Sequence, residues 1–174
     1  RVRKHCHTRN NKAMRKILFR GRDGTGKWHE GNLIVVNVKK PVQKDVAPYK
    51  EYYIKGQAFG SVEKEVDPET IGQLVSPATE YHPEIWEGDI IEICGNDPTL
   101  AQRTVVEWHK HQAAFVVLLT NPSNGDKGYC PLSLVFLDLQ GEDALAIKVI
   151  GNIHDNPELI TKPFCDHAQK GITN

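Results

Sequence analysis

Short stretches of alternating apolar and polar residues run along most of the chain, and turn-forming residues separate them. Residues 15–38 predict a β-hairpin, because two such stretches flank a turn at residues 23–26. The same alternation predicts further strands at 51–58, 62–66, 103–109 and 113–120. Residues 84–94 predict a turn at 86–89 that leads into a strand. Residues 71–75 fit either a strand or one helical turn, and residues 131–139 fit either a strand or a short helix.

The remaining segments complete a β-rich pattern. Residues 39–50 are rich in proline and lysine, which is typical of a surface loop. Asn156 and Pro157 predict the cap and the first position of a short closing helix. Because no long segment repeats every 3.6 residues, we predict a mainly β protein, all-β or β-rich α+β. Its short antiparallel strands would form an open barrel or a sandwich, with a small closing helix near the C-terminus.

Turn-forming residues at 77–83 mark the best boundary within the chain. We therefore expect an N-terminal β-rich part at 14–82 and a C-terminal, small β-barrel-like part at 83–160. A basic extension at 1–13 and a polar tail at 161–174 flank them. Met14, the single methionine, stands just before the first apolar stretch and fits an original start.

Charge is distributed unevenly, although the formal net charge is zero. Residues 1–22 contain nine Lys or Arg and no acid, whereas the rest of the chain is acidic. Lys and Arg side chains bind phosphates by releasing counterions, and an aromatic ring can stack on a base. Candidate nucleic-acid contacts are therefore Arg15, Lys16, Arg20, Arg22 and Trp28. The acidic body argues against a wide nucleic-acid footprint.

Composition excludes several classes of protein. Apolar residues make up 39% of the chain and charged residues 25%, which is near the globular average. The longest apolar run, 113–119, is far shorter than the roughly 20 residues that span a bilayer, so we expect no membrane partner and a cytoplasmic location. The four cysteines are widely spaced, which indicates free thiols rather than a zinc ribbon or a redox dithiol.

No motif for metal or phosphate binding is complete. The glycines of residues 21–26 lack the spacing of known phosphate-binding loops, so a hairpin turn is the better interpretation. His109 and His111 would share one face of a strand, and residues 5–7 contain two histidines and a cysteine. Neither set has the further ligands that a metal site requires. We therefore assign no metal and no cofactor.

Carboxylates occur in two pairs, Asp67 with Glu69 and Glu87 with Asp89. In turns such side chains usually accept hydrogen bonds from backbone N–H groups, and we predict that role here. No serine stands in the context of an activated nucleophile. We therefore assign no catalytic residue.

Four motifs follow one another along the chain. They are I-L-F-R-G with G-K-W-H-E-G at 17–31, V-D-P-E-T-I-G-Q at 66–73, I-W-E-G-D-I-I at 85–91, and V-I-G-N-I-H-D-N-P-E-L at 149–159. In this order they resemble the YopX family of phage and prophage proteins. Members commonly carry a pattern like T-G-L-x-D-x-x-G before the third motif, and residues 74–84 depart from it.

The resemblance implies a bacterial or phage origin, a β-rich fold, a homo-oligomer and a place in the cytoplasm of the bacterial host. It implies no activity, because the motif residues suit turns and packing. The positions that carry it are Asp67, Pro68, Glu69, Thr70, Gly72, Gln73, Trp86, Glu87, Gly88, Asp89, Gly151, Asn152, Asn156 and Pro157.

Three functional hypotheses remain. The first is a phage or prophage accessory protein that binds an unknown phage or host protein, or its own copies, through strand edges or a groove. The alternative is a small nucleic-acid-binding β-barrel. An enzyme with an unrecognised site ranks lowest, since no acid, base and nucleophile converge in the sequence.

Overall fold

The computed structural model describes residues 16–38, 49–95, 100–121, 123–137 and 146–161. These residues form twelve β-strands in three antiparallel sheets, one turn of 3-10 helix and two short α-helices. The prediction of a mainly β fold is confirmed, and the sheets are open. Neither α-helix in this part of the chain has the length and apolar character needed to cross a membrane.

The first sheet has six strands in the order β4-β3-β2-β1-β5-β6. Its strands are β1 (Phe19–Arg22), β2 (Trp28–Val38), β3 (Tyr49–Lys55), β4 (Glu63–Glu65), β5 (Gly72–Ser76) and β6 (Ile85–Trp86). The predicted hairpin is confirmed as β1 and β2, and the ambiguous residues 71–75 lie mainly in a strand. Residues 85–86 complete this sheet, and the division of the chain into 14–82 and 83–160 stays a prediction.

The other two sheets have three strands each, in the orders β11-β10-β9 and β12-β7-β8. Their strands are β7 (Asp89–Cys94), β8 (Gln102–Val105), β9 (Glu107–His109), β10 (Ala114–Thr120), β11 (Lys127–Pro131) and β12 (Ala146–Asn152). The helices are α1 (Leu132–Leu137) and α2 (Glu158–Thr161). Of the ambiguous residues 131–139, Pro131 ends β11 and residues 132–137 are helical, and the last two lie outside the described residues.

Several predicted boundaries are wrong, and the strand predicted at 51–58 ends at Lys55. Strand β3 begins at Tyr49 rather than after Lys50, because these two residues pair with the end of β2; residues 39–48 of the predicted loop lie outside the described residues. The predicted strand 103–109 is interrupted at Val106. Helix α2 begins at Glu158, and the side chain of Asn156 does not cap it but accepts a hydrogen bond from the amide of Asn152 at 3.4 Å.

Val106 divides the predicted strand because it changes sheets. Its N–H donates to the carbonyl oxygen of Asp89 at 2.9 Å, and its own carbonyl accepts from the amide of Gly88 at 2.8 Å. Before it, β8 pairs with β7; after it, β9 pairs with β10. The side chain of Val106 is fully buried, so the change of sheet occurs inside the core.

β9 pairs with β10 only as far as Val116. Beyond that residue, side chains of β8 connect the two small sheets. The amide group of Gln102 donates to the carbonyl oxygen of Thr120 at 2.8 Å and accepts from its N–H at 2.7 Å. The hydroxyl of Thr104 accepts from the amide of Leu118 at 3.0 Å. These side chains satisfy backbone groups of β10 that have no strand partner there.

Two apolar clusters lie on either side of β6. The main cluster fills the space between the small sheets and α1, and contains Ile85, Ile91, Ile93, Val106, Val117, Leu132, Val135 and Ile147. A smaller cluster joins Trp86 to Leu74 of β5 and to Leu18, which directly precedes β1. The adjacent residues Ile85 and Trp86 thus point into different clusters, as successive residues of a strand do.

Candidate functional site

An ion pair joins the first sheet to the third. Arg20 of β1 donates from Nη2 to Oδ1 of Asp89 at 2.6 Å and to the carbonyl oxygen of Glu87 at 3.2 Å. The second carboxylate oxygen of Asp89 accepts from the amide of Trp86 at 2.8 Å. Both charged side chains are largely buried, at 13% and 3% exposure. Burial raises the pKa of Asp89, and Arg20 and the Trp86 amide oppose that rise.

Two tryptophan rings surround the Arg20 guanidinium. Its carbon lies 4.9 Å from the ring centroid of Trp28 and 5.6 Å from that of Trp86. The guanidinium of Arg22 lies 5.8 Å from the Trp28 ring. Cation–π attraction of this kind adds about 0.5–2 kcal/mol where water is excluded. The tryptophans and arginines therefore stabilise one another across three strands.

The segment after β12 closes over the Trp28 ring. The indole nitrogen of Trp28 donates to Oδ2 of Asp155 at 2.8 Å, and Nη1 of Arg22 lies 3.1 Å from Oδ1 of that carboxylate. Hydrogen bonds from Asn152 and Trp28 lower the pKa of Asp155. The ring of His154 lies 6.0 Å from that of Trp28. Burial, and then the positive Arg20 and Arg22, lower the pKa of His154.

The second motif anchors the end of β1. The amide of Asp67 donates to the carbonyl oxygen of Arg22 at 2.8 Å, and the amide of Arg22 donates to the hydroxyl of Thr70 at 2.9 Å. The Asp67 carboxylate caps the 3-10 helix Pro68–Thr70 by accepting from the Glu69 amide at 3.0 Å. The predicted capping role of Asp67 is therefore confirmed.

The third motif forms the turn between β6 and β7. Asp89 and Glu87 both accept backbone N–H groups, the latter from Gln73 at 3.3 Å, as predicted. Gly88 has φ +83°, a conformation that side chains disfavour. A Cβ at Gly72 would lie 2.5 Å from the carbonyl oxygen of Glu87, so the second and third motifs pack backbone against backbone.

The structure thus brings residues of all four motifs to one place, which we call the motif junction: Arg20, Arg22, Trp28, Asp67, Asp89, His154 and Asp155. Sequence reasoning had assigned no role to His154 and Asp155. Their position in the fourth motif, directly after Asn152, was the available signal, but the sequence did not show which side chains they would meet.

The candidate nucleic-acid contacts have different surroundings. Arg15 lies outside the described residues, and Lys16 is exposed. Arg20 and Arg22 are both paired with carboxylates, and Trp28 is half-buried between them. A phosphate at the motif junction would have to compete with Asp89 and Asp155.

The other candidate groups stay apart from the junction. The rings of His109 and His111 lie 5.9 Å apart, and His109 also lies 4.8 Å from the ring of Tyr129. Among the described residues, no cluster of three or more His, Cys, Asp or Glu side chains fits a metal ion; residues 5–7 lie outside them. Cys94 and Cys130 are not in a disulfide, and burial raises the pKa of the Cys94 thiol.

A groove of about 460 Å³ opens between β8, the outer face of β10 and β11, and α2. Its apolar lining includes Leu118, Tyr129 and Ile160, each of which is exposed. Arg103 and Lys127 add positive charge to this lining, and Glu107 adds negative charge.

The far half of the β2–β3 hairpin extends beyond both neighbouring strands. β1 pairs with β2 only from Arg22 opposite Trp28 to Phe19 opposite Gly31. β4 pairs with β3 only as far as Tyr53. Residues 35–38 and 49–52, which we call the ribbon, continue as a ladder of two strands. Val35, Val36 and Tyr49 of the ribbon are 40–44% exposed.

Comparison with known families matches residues 60–161 to the family described as YopX protein. The match contains the second, third and fourth motifs, and the first motif precedes it. No curated protein matches the chain. No solved structure matches it either.

Proposed function

This chain belongs to the YopX family, as its motifs predict, and on this premise we propose that it is a phage- or prophage-encoded accessory protein that acts through protein contacts. Its partners include its own copies, and an unknown phage or host protein. It works in the cytoplasm of the bacterial host.

The use of the motif residues supports this proposal. The contacts among Arg20, Trp28 and Asp89 hold two sheets together. Gly72 leaves room for the backbone of Glu87, and Gly88 adopts a positive φ angle. These are the contacts of a scaffold. A scaffold presents its binding groups elsewhere on the surface.

The ribbon is the observation that carries the proposal. A ladder of two strands is marginally stable in water, and covering its apolar side chains adds stability. Val35 and Val36 are successive residues, so they lie on opposite faces, and both are exposed. A partner that covers either face would bury apolar surface that the described residues leave in contact with water.

Molar mass over a range of concentrations tests the proposal. We expect light scattering on a size-exclusion column to give a mass above the 19.6 kDa of one chain, rising with concentration. High salt should leave the assembly largely intact, because apolar and backbone contacts are screened little. A mass of one chain at every concentration would refute self-association.

Nucleic-acid binding is the second candidate. Arg22 is 29% exposed and lies over the half-buried ring of Trp28, which places a cation beside an aromatic ring at the surface. Such pairs occur where single strands are bound by stacking and phosphate contacts. The salt bridge from Arg22 to Asp155 opposes this use.

A further inference from the structure

We infer that the free edge of β2 pairs antiparallel with the same edge of a second copy of this chain. This inference rests on the proposed function and names the surface and the partner. Residues 33–38, at the outer end of β2, form the contact.

The hydrogen bonds of β3 show which groups of β2 are free. The amide of Val66 donates to the carbonyl oxygen of Tyr52 at 2.9 Å, so the backbone groups of Tyr52 point toward β4. In an antiparallel pair of strands, the backbone N–H and C=O groups of two opposite residues either bond each other or both point away from the partner strand. Tyr52 lies opposite Val35, so N–H and C=O of Val35 point away from β3. Because this pattern alternates, the same holds for Leu33 and Asn37.

These three residues have no backbone partner on that side among the described residues. β1 covers the edge only as far as Gly31, where Phe19 is its partner. No other backbone hydrogen bond in the described part of the chain reaches residues 33, 35 or 37. The edge therefore offers alternating donors and acceptors to another strand.

Three outer strands of the described sheets carry features that discourage pairing, and the outer end of β2 does not. β4 consists of three charged residues, β11 begins with a lysine and ends with a proline, and β12 carries a lysine and an irregular register. Residues 33–38 read L-I-V-V-N-V, without charge, proline or glycine. Proteins normally protect long apolar edges of this kind, so an unprotected one indicates a binding edge.

A second copy fits this edge because an antiparallel edge is complementary to itself about a two-fold axis. An axis through Val35 places it opposite the second copy's Val35, and places Leu33 opposite Asn37. All three edge residues are then hydrogen bonded. An axis through Ile34 or Val36 would leave part of the edge unpaired. The chain's net charge of zero adds no general repulsion between copies.

The axis through Val35 gives a charge-swap test. Val35→Lys brings two like charges to opposing positions, about 5.5 Å apart between Cα atoms, which disfavours pairing. Val35→Glu does the same with negative charge. Mixed in equal amounts, the two variants place opposite charges across the axis. Val62→Lys is the matched control, since Val62 is a 71% exposed valine in the loop before β4.

Light scattering and native mass spectrometry of the full chain provide the readout, with far-UV circular dichroism to confirm folding. We expect each Val35 variant alone to have half the assembled mass of the wild type. The mixture of the two variants should regain the wild-type mass as mixed assemblies, and Val62→Lys should behave as the wild type. A wild type of one-chain mass would overturn self-association and this inference together. An assembling wild type whose mass Val35→Lys leaves unchanged, or a mixture without mixed assemblies, would overturn this inference alone.

Discussion

Arg20 and Asp89 form a largely buried ion pair between two sheets, with 2.6 Å between Nη2 and Oδ1. The two residues are 69 positions apart in sequence, so the pair closes a long loop of chain. Asp89 also fixes the turn of the third motif through the amide of Trp86. One carboxylate therefore holds both a local turn and the junction of two sheets.

Arg20→Ala should lower the free energy of unfolding by about 3 kcal/mol or more, because it leaves the buried Asp89 carboxylate without its cation. It also removes the guanidinium between Trp28 and Trp86. Urea denaturation measures the change. Lys55→Ala is the control: it breaks an exposed pair with Glu63 and should cost less than about 1 kcal/mol. Equal losses of unfolding free energy in the two variants would show that the buried Arg20 pair contributes no more to stability than an exposed pair.

The sequence predicted the elements of the motif junction better than their assembly. Asp67, Glu87 and Asp89 lie in turns whose local chemistry is readable, and their predicted bonds to backbone N–H groups are present. The pairing of Asp89 with Arg20 depends on how two sheets meet, and no local pattern encodes that. The contact of Asp155 with Trp28 spans 127 positions and was missed for the same reason.

Gly72→Ala should destabilise the protein by about 1–3 kcal/mol, because its Cβ would press on the carbonyl oxygen of Glu87. Backbone on both sides limits relaxation there. Gly128→Ala in β11 is the matched control, since a Cβ at that position meets no heavy atom within 4 Å. Thermal unfolding of both variants makes the comparison. An unchanged melting temperature for Gly72→Ala would contradict the close approach of the two motifs.

Val106 shows a second limit of sequence reasoning. Residues 103–109 alternate well enough to predict one strand, and the alternation carries no sign of the change of sheet. The reason is that Val106 stays apolar and buried in either arrangement, while its hydrogen-bond partners come from the turn at Gly88 and Asp89. Tertiary pairing, rather than local preference, sets this boundary.

His154 should make stability depend on pH near neutrality. Burial and the neighbouring arginines lower its pKa in the folded protein below the ordinary value of 6.5. As pH falls through that ordinary value, the unfolded chain binds a proton that the folded protein does not. Stability is therefore fully present above it, and declines until pH reaches the lower folded value.

His154→Gln should flatten this part of the pH profile, measured as the urea midpoint on either side of the ordinary imidazole pKa. His111→Gln, at an exposed position in the turn between β9 and β10, serves as the control and should keep the wild-type slope. A slope that persists in His154→Gln would assign the effect to another group.

Binding of single-stranded DNA at low and high salt tests the second candidate function. We expect affinity, where present, to come from Lys16 and the basic residues before it, because Arg20 and Arg22 already neutralise Asp89 and Asp155. Removing residues 1–16, which precede β1, should then abolish salt-sensitive binding in fluorescence anisotropy, and Arg22→Ala should leave it unchanged. Salt-sensitive binding that survives the deletion but is lost in Arg22→Ala would reverse the ranking. It would place the nucleic acid at the Trp28 ring.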